Sequence, residues 1–450
     1  MDIYVSSEVY ETADWPCITF PSAAVIGKAE ELINAFYTSD PVEPGKLVFD
    51  FSTSVFIEIA TLQLITSHIR RRHSLGYITK LRLPSGNKGL DVRHFLRRWR
   101  YAETFSEIFG KKNPFKAFVD TADHKYFFGS PTGGDPGDPY AGAMVRHEDR
   151  YGERAYRIET YRFFGFKTWL LSQDVDKRRF VEEEKKRWRN ADPLIIETLN
   201  RRLKTPPAAR SSTEHSSVNN EKLVMGRIVF QAITNALRHP RAAILQASSH
   251  MADRLTSAPT TPTGFTKTDN FFTLVYWDDG ESMYATLRKA LDANLPINHP
   301  TSLKATYLVD PGKPSDMDRQ PRVVSSSEIP ASGSSDKELL ISTIFPGVTC
   351  DVKDSERLAT VGLEEDDPVL ALPGHGLFVL VQTAVELFGG SVAFRTGKFF
   401  MNVSALNERE WRQQNLPGSK PTYKIKTDQS APAILGNMVT VRLPLGASGK

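Results

Sequence analysis

Polar side chains of four types share one face of a predicted helix in the second half of the chain. Apolar spacing predicts a helix over residues 221–239, which Pro240 ends. Its polar residues stand at i, i+4, i+7 and i+8: Gln231, Asn235, Arg238 and His239. Buried amides need hydrogen-bond partners, because an unpaired one costs about 1–3 kcal/mol. The stripe therefore indicates either a binding site or a solvated helix face.

A second candidate lies where a strongly apolar strand runs into an acidic turn. The run FFTLVYW at 271–277 predicts a buried strand, and Asp278, Asp279 and Gly280 follow it directly. A carboxylate at a strand end can accept a hydrogen bond from an exocyclic amine. Glycine lets the backbone pass close to a flat ring. The alternative is that this motif forms an ordinary turn.

A third candidate is a pair of glycines in front of an amphipathic helix. Gly374-His375-Gly376-Leu377 precede an apolar stripe that Gly389 and the next glycine end in the manner of a C-cap. Glycines before a helix expose N–H groups that suit phosphate oxygens. His375 occupies the variable position between them.

The order of these motifs resembles that of the GHKL ATPases. After the second glycine box come a Gly-Gly strand and a last strand, LGNMVTVRLPL, ending in Leu-Pro. The family groups DNA gyrase, heat-shock chaperone ATPases, histidine kinases, MutL and the anti-sigma-factor serine kinases. The resemblance spans about 221–445 and implies a Bergerat α/β sandwich that binds ATP and Mg²⁺. No GxxxxGK[ST] phosphate-binding loop competes with it.

The resemblance also implies roles for single residues. The asparagine matches a ligand of Mg²⁺ bridging the phosphates, and the basic residues after it lie near the phosphates. Asp278 matches the carboxylate that binds the adenine amino group, and Gly280 the glycine beneath the base. The second glycine box contacts phosphate and hinges an ATP lid, here about 296–373. The implied nucleotide-binding set is Asn235, Arg238, His239, Asp278, Gly280, Gly374, Gly376 and Leu377.

Several positions depart from the family pattern. Gln231 stands where the hydrolytic branch has a glutamate that activates water. An amide cannot act as a general base, and losing one typically costs about 10²–10⁴-fold in rate. Ser282 and Phe378 replace glycines, and Asn437 stands where several members have a threonine that helps bind adenine. We therefore expect ATP binding with slow or absent hydrolysis.

The N-terminal part predicts a separate small α/β domain. KLVFDF, a helical stretch over 57–72 and ITKLRL form a strand–helix–strand unit. It resembles a STAS domain, with Asp50 ending the buried strand. The turn that carries a phosphorylated serine in such antagonists reads Glu58-Ile59-Ala60-Thr61. The resemblance implies a docking module without that switch. We expect the domains to be 1–115 (STAS-like), 116–220 (a mainly helical connector with loops) and 221–450 (ATP-binding).

Composition sets outer bounds on the function. The 450 residues carry a net charge of +4, too small to indicate nucleic acid or an anionic membrane. Cys17 and Cys350 cannot supply a disulfide framework or a CxxC zinc site. No apolar run reaches a membrane-spanning length, and the acidic start is unlike a signal peptide. We expect a soluble cytoplasmic protein with no membrane partner.

Three functions follow from this sequence. The first is an ATP·Mg-binding regulatory protein whose lid closure gates a protein partner or a dimer interface. The second is a protein kinase of the anti-sigma serine type or the histidine type, for which His147 is a candidate acceptor. The third is an ATP-gated nucleic-acid clamp resembling MutL or gyrase, with basic clusters at 70–73, 97–100 and 185–189.

Overall fold

The chain is a mixed α/β protein, as the sequence predicts. The structure is a computed structural model that describes residues 14–39, 42–84, 92, 96, 101–109, 116–119, 166–171, 203, 223–238, 242–251, 271–298, 301–310, 320–350, 374–414, 416, 418, 420–429 and 431–445. It divides into two compact units. The first unit comprises 1–168 with 246–265, and the second comprises 169–245 with 266–450. Among the described residues, no helix has both the length and the apolar character that a membrane span requires.

The first unit is built on a parallel sheet with the strand order β1-β3-β5-β6. Its strands are β1 (Cys17–Thr19), β2 (Ala23–Ala24), β3 (Lys46–Asp50), β4 (Phe56–Ile57), β5 (Ile78–Leu83) and β6 (Lys116–Val119). Its helices are α1 (Ile26–Ser39), α2 (Ile59–Ser74) and α3 (Tyr101–Phe109). The predicted strand–helix–strand order of β3, α2 and β5 is confirmed. Strands β2 and β4 form a separate parallel pair.

The C-terminal end of α2 is held by an internal ion-pair cluster. The fully buried Arg72 guanidinium donates to Glu43 Oε1 at 2.8 Å and to Thr79 Oγ1 at 2.8 Å. Arg71 donates to both oxygens of Glu43, at 2.5 and 2.6 Å. Burial disfavours the charged carboxylate, but the bonds and charges of both arginines outweigh it and lower the pKa of Glu43. These two arginines of the basic cluster at 70–73 therefore serve the fold.

The second unit contains a mixed sheet with the strand order β11-β10-β14-β13-β12-β15-β9, in which β11 is an edge strand. These strands are β9 (Phe271–Asp278), β10 (Thr306–Asp310), β11 (Arg322–Ser325), β12 (Ser391–Thr396), β13 (Phe399–Ala405), β14 (Tyr423–Gln429) and β15 (Asn437–Pro444). Neighbours are antiparallel except β10 and β14, which are parallel. Two further strands, β7 (Phe166–Leu170) and β8 (Ile244–Met251), cross the division between the units.

Five helices complete the described part of the second unit. They are α4 (Phe230–Arg238), α5 (Met283–Asp292), α6 (Asp336–Ser342), α7 (Gly376–Gln382) and α8 (Glu408–Gln414). A π-helical turn, Val224–Val229, leads into α4, and another, Thr383–Leu387, continues α7. Such turns shift the phase of the side chains around a helix and often occur at functional sites. Gly389, in the left-handed conformation with a φ of 66°, then ends α7 and its π-helical continuation.

The predicted lid segment 296–373 contains folded elements in its described parts. Tyr307 of β10 lies in an aromatic stack, with ring centroids 5.2 Å from Phe345 and 5.1 Å from Tyr423. The serine-rich stretch supplies Ser335, whose side chain and that of Glu338 form a capping box at the start of α6. Strands β10 and β11 and helix α6 therefore belong to the packed body of the second unit.

Candidate functional site

Asp278 ends strand β9 with its carboxylate held in place by two donors. The residue is 6% exposed, and its Oδ1 accepts from the backbone N–H of Gly280 at 3.0 Å. The same oxygen accepts from Nδ2 of Asn437 at 3.0 Å. Asn437 is the first residue of β15 and pairs with Asp278 in the sheet register. The ladder thus brings together two residues that lie 159 positions apart.

The carboxamide of Asn437 connects this strand end to the turn that follows. Its Nδ2 also donates to the carbonyl of Glu281 at 2.9 Å. Its Oδ1 accepts from the N–H of Met283 at 3.0 Å and from Oγ1 of Thr396 at 2.6 Å. The side chain is 1% exposed, so these bonds are shielded from water. The amide therefore fixes both the carboxylate and the first turn of α5.

Two glycines allow the backbone to pass close to Asp278. A Cβ on Gly280 would lie 2.9 Å from Asp278 Oδ1 and 3.1 Å from the Cβ of Ala242. A Cβ on Gly436 would lie 1.7 Å from the carbonyl oxygen of Asp278, and Gly436 has a φ of 79°. The sequence analysis did not single out Gly436. A glycine directly before a strand is a signal that could have indicated it.

The remaining acidic residues of the turn have structural partners. Asp279 Oδ1 accepts from the N–H groups of Ala243 and Ile244, both at 2.8 Å. Glu281 forms an ion pair with Lys289 of α5. The two side chains thus support the turn on either side of Gly280.

Helix α4 carries the polar stripe predicted from the sequence. Gln231 is 7% exposed and Asn235 is half-buried, while Arg238 is the last helical residue. His239 lies outside the described residues. The Oε1 atom of Gln231 lies 2.7 Å from the position that a Cβ on Gly376 would take. The structure therefore brings the amide of Gln231 to the start of α7.

The second glycine box forms a tight contact with another part of the chain. Gly374 has a φ of 76°, and a Cβ on it would lie 2.6 Å from the carbonyl carbon of Gly347. Gly347 N–H donates to the Gly374 carbonyl at 3.1 Å. Both glycines have a positive φ, which favours glycine at each position, and at Gly374 the close approach also excludes a side chain.

The residues between and after these glycines are buried. His375 is inaccessible to solvent and its Nε2 lies 2.9 Å from Oγ1 of Thr301. Its carbonyl accepts from the N–H of Val379, which closes the first turn of α7. Leu377 is buried in the core below this turn. His375 is therefore a structural contact of the box that the sequence analysis treated as a variable position.

The two groups of site residues are connected through α4. This helix packs against α7, which begins at Gly376, and against β9, which ends at Asp278. No protein-family model, curated protein or solved structure matches this chain. The chemistry of the residues themselves is therefore what bears on function.

The described residues offer few ligands for a protein-held metal. Within the described residues, no group of three or more His, Cys, Asp or Glu side chains could hold an ion. Asn235 offers one amide oxygen, so a Mg²⁺ ion there would take its other ligands from water and phosphate oxygens. The carboxylate of Asp278 can accept a hydrogen bond from an amine. The structure does not describe the candidate acceptor of the kinase alternative, His147, or two basic clusters of the nucleic-acid alternative, 97–100 and 185–189.

Proposed function

We propose that this chain is an ATP·Mg-binding regulatory protein with a GHKL-type nucleotide site in its second unit. The observation that carries the proposal is the fixed carboxylate of Asp278 beside Gly280. A carboxylate that accepts from two N–H donors is held in a fixed orientation, and as an acceptor it suits a ring that presents an amino group. Gly280 keeps this carboxylate close to the backbone, because a Cβ there would lie 2.9 Å from Asp278 Oδ1.

The phosphate end of the proposed site involves α4 and α7. Helix α7 begins at Gly376, beside the side-chain oxygen of Gln231, and the N–H groups of its first turn are the proposed donors to phosphate oxygens. The half-buried Asn235 is available to a Mg²⁺ ion that bridges phosphates. Helix packing that joins α4 to both α7 and β9 supports a single site for base and phosphates.

Slow or absent hydrolysis is part of this proposal. Gln231 occupies the position expected for a general base, and its buried amide cannot take a proton from water at neutral pH. Binding then acts as a signal, and a partner must have different affinities for the bound and empty states. Strands β10 and β11 and helix α6 are packed into the second unit, so we assign the lid movement to the contact between Gly347 and Gly374.

The first unit supports a role as a STAS-like docking module. Asp50 ends β3, accepts from Ser52 N–H at 2.8 Å and pairs with Arg82 at 3.3 Å. Glu58 accepts from Ile26 N–H at 2.8 Å, which ties the turn before α2 to the start of α1. The position after it is Ile59, so a phosphorylated serine cannot switch this turn. We propose that this unit meets a protein partner or a second copy.

Calorimetry with ATP·Mg²⁺ tests the proposal. We expect the wild type to bind and Asp278→Asn, which keeps the shape but removes the charge, to bind at least about 10-fold more weakly. Asp292→Asn, at the exposed end of α5, is the matched control and should bind like the wild type. Asn235→Ala should lose the Mg²⁺-dependent part of the affinity. No binding by a folded wild type, or equal binding by both aspartate variants, would refute the nucleotide site.

A further inference from the structure

We infer that strand β8 is a relay from the turn after β9 to helix α2, through which a change at that turn reaches the STAS-like module. The inference rests on the proposed function, because it gives a route to the signal that nucleotide binding starts. Strand β8 suits this role because its residues belong to both units. Ile244 and Leu245 lie in the second unit, and the strand from Gln246 onwards lies in the first.

The start of β8 is bound by Asp279, which directly follows β9. Asp279 Oδ1 accepts from the N–H groups of Ala243 and Ile244, both at 2.8 Å. The backbone N–H of Asp279 also donates to the carbonyl of Ile244 at 3.2 Å. Because the backbone and the side chain of Asp279 both hold this point, the start of β8 follows any displacement of the turn.

Further along, β8 is bound by the side chain of Gln63 in α2. Gln63 donates through Nε2 to Oε1 of Gln246 and accepts at its own Oε1 from Oγ of Ser248 at 3.4 Å. Gln246 in turn donates through Nε2 to Oγ1 of Thr168 at 3.1 Å. The two glutamines and Ser248 are at most 1% exposed, so the bonds are shielded from water. Sliding β8 along α2 would leave buried amides unpaired, which costs free energy.

A strand carries displacement along its axis with little loss. Its backbone rises about 3.3 Å per residue, close to the limit of about 3.6 Å for a fully extended chain, so it can stretch very little. At this rise, about 7 Å separates Ile244, at the Asp279 end, from Gln246, at the Gln63 end. The strand is buried from Ile244 to Ser249, and close packing around it opposes buckling. The turn and the helix are thus joined by a short, stiff segment.

The relay meets α2 near the proposed docking turn. Gln63 lies four residues after Ile59, the first residue of α2, so about one helical turn separates it from Glu58. Movement of β8 therefore bears on the end of the helix that the STAS-like module would present to a partner.

The turn after β9 contains a matched control for Asp279. Glu281 lies two residues further on and forms an ion pair with Lys289 of α5. Its replacement perturbs the same turn and leaves the bonds between Asp279 and β8 in place.

Hydrogen exchange of the full chain, measured by mass spectrometry without nucleotide, tests the relay. In Asp279→Ala we expect the amides of α2 to exchange about 5-fold faster or more, the lower end of typical coupling between sites. Glu281→Ala should leave exchange in α2 unchanged. Asp279→Ala combined with Gln246→Leu should exchange like Gln246→Leu alone, because the relay is already broken there. If Asp279→Ala or Gln246→Leu does not fold, Asp279→Asn and Gln63→Leu replace them.

The same measurement with ATP·Mg²⁺ separates the relay from the proposed function. In the wild type we expect the nucleotide to slow exchange in α2 by about 5-fold or more. Gln246→Leu should bind ATP with unchanged affinity and show no such slowing. If the wild type binds no ATP, the proposed function fails, while the comparison without nucleotide still tests the relay. Equal effects of Asp279→Ala and Glu281→Ala on α2, multiplied effects in the double variant, or bound ATP with unchanged exchange in α2 would overturn the inference.

Discussion

Among alanine substitutions at the glycines of the candidate site, Gly436→Ala should disturb the backbone most. Its Cβ would lie 1.7 Å from the Asp278 carbonyl oxygen, whereas real Cβ atoms stay at least 3.0 Å from such atoms. The backbone must therefore open by about 1.3 Å, where β15 begins to pair with β9. Left-handed φ costs alanine about 1–2 kcal/mol. Loss of the buried Asn437 bonds adds about 1–3 kcal/mol. We expect the free energy of unfolding to fall by about 2–5 kcal/mol.

Two glycines serve as matched controls for this change. Gly389 has a φ of 66° in the same unit, and Gly76 has the same φ as Gly436, 79°; neither has an atom within 4 Å of its would-be Cβ. Their alanine variants should show the conformational cost alone. Urea unfolding, followed by tryptophan fluorescence, measures all three, and Trp277 adjoins the affected turn. If Gly436→Ala loses no more stability than Gly389→Ala, the close approach to Asp278 is not a constraint.

Three further predictions follow from individual contacts. Thr440→Val should raise the free energy of unfolding by about 1 kcal/mol, because the buried hydroxyl has no hydrogen-bond partner among the described residues; a fall measured by urea unfolding would contradict this. Stability from the Glu43 cluster is complete above the ordinary pKa of 4.5 and is lost as pH falls through the lowered pKa. In Glu43→Gln the free energy of unfolding should therefore fall less steeply as the pH drops below about 5. A pH dependence equal to that of the wild type would contradict this. Gln231→Glu should raise ATP turnover by about 100-fold or more in a phosphate-release assay, with Gln231→Ala as the control; equal rates would mean that no base acts from this position.

The elements around the site could be predicted because their signals are local. The strand before Asp278, the helix through Gln231 and Asn235, and the glycine stop at Gly389 follow from spacing within about a dozen residues. The structure contains each of them. Strands β10 and β11 were not predicted as parts of the sheet. Strand β10 pairs with β14, more than a hundred residues further on, and the edge strand β11 joins the sheet only through β10.

The polar contacts of the site could not be read from local patterns. Asn437 meets Asp278 across 159 residues, and His375 meets Thr301 across 74. Such pairings depend on the sheet register and on the chain path, which spacing does not encode. Gly436 shows the same limit. Only glycine fits there because the backbone at Asp278, which is distant in sequence, lies too close for a side chain.

The central place of β15 has a consequence for how the protein is made. This strand joins β9 to β12, yet it leaves the ribosome about 160 residues after the end of β9. At 5–20 residues per second, the apolar strand β9 waits roughly 8–30 s for that neighbour. During this time its FFTLVYW run is a candidate ligand for a chaperone that binds extended apolar segments. Synthesis rate, as well as sequence, therefore bears on the yield of folded protein.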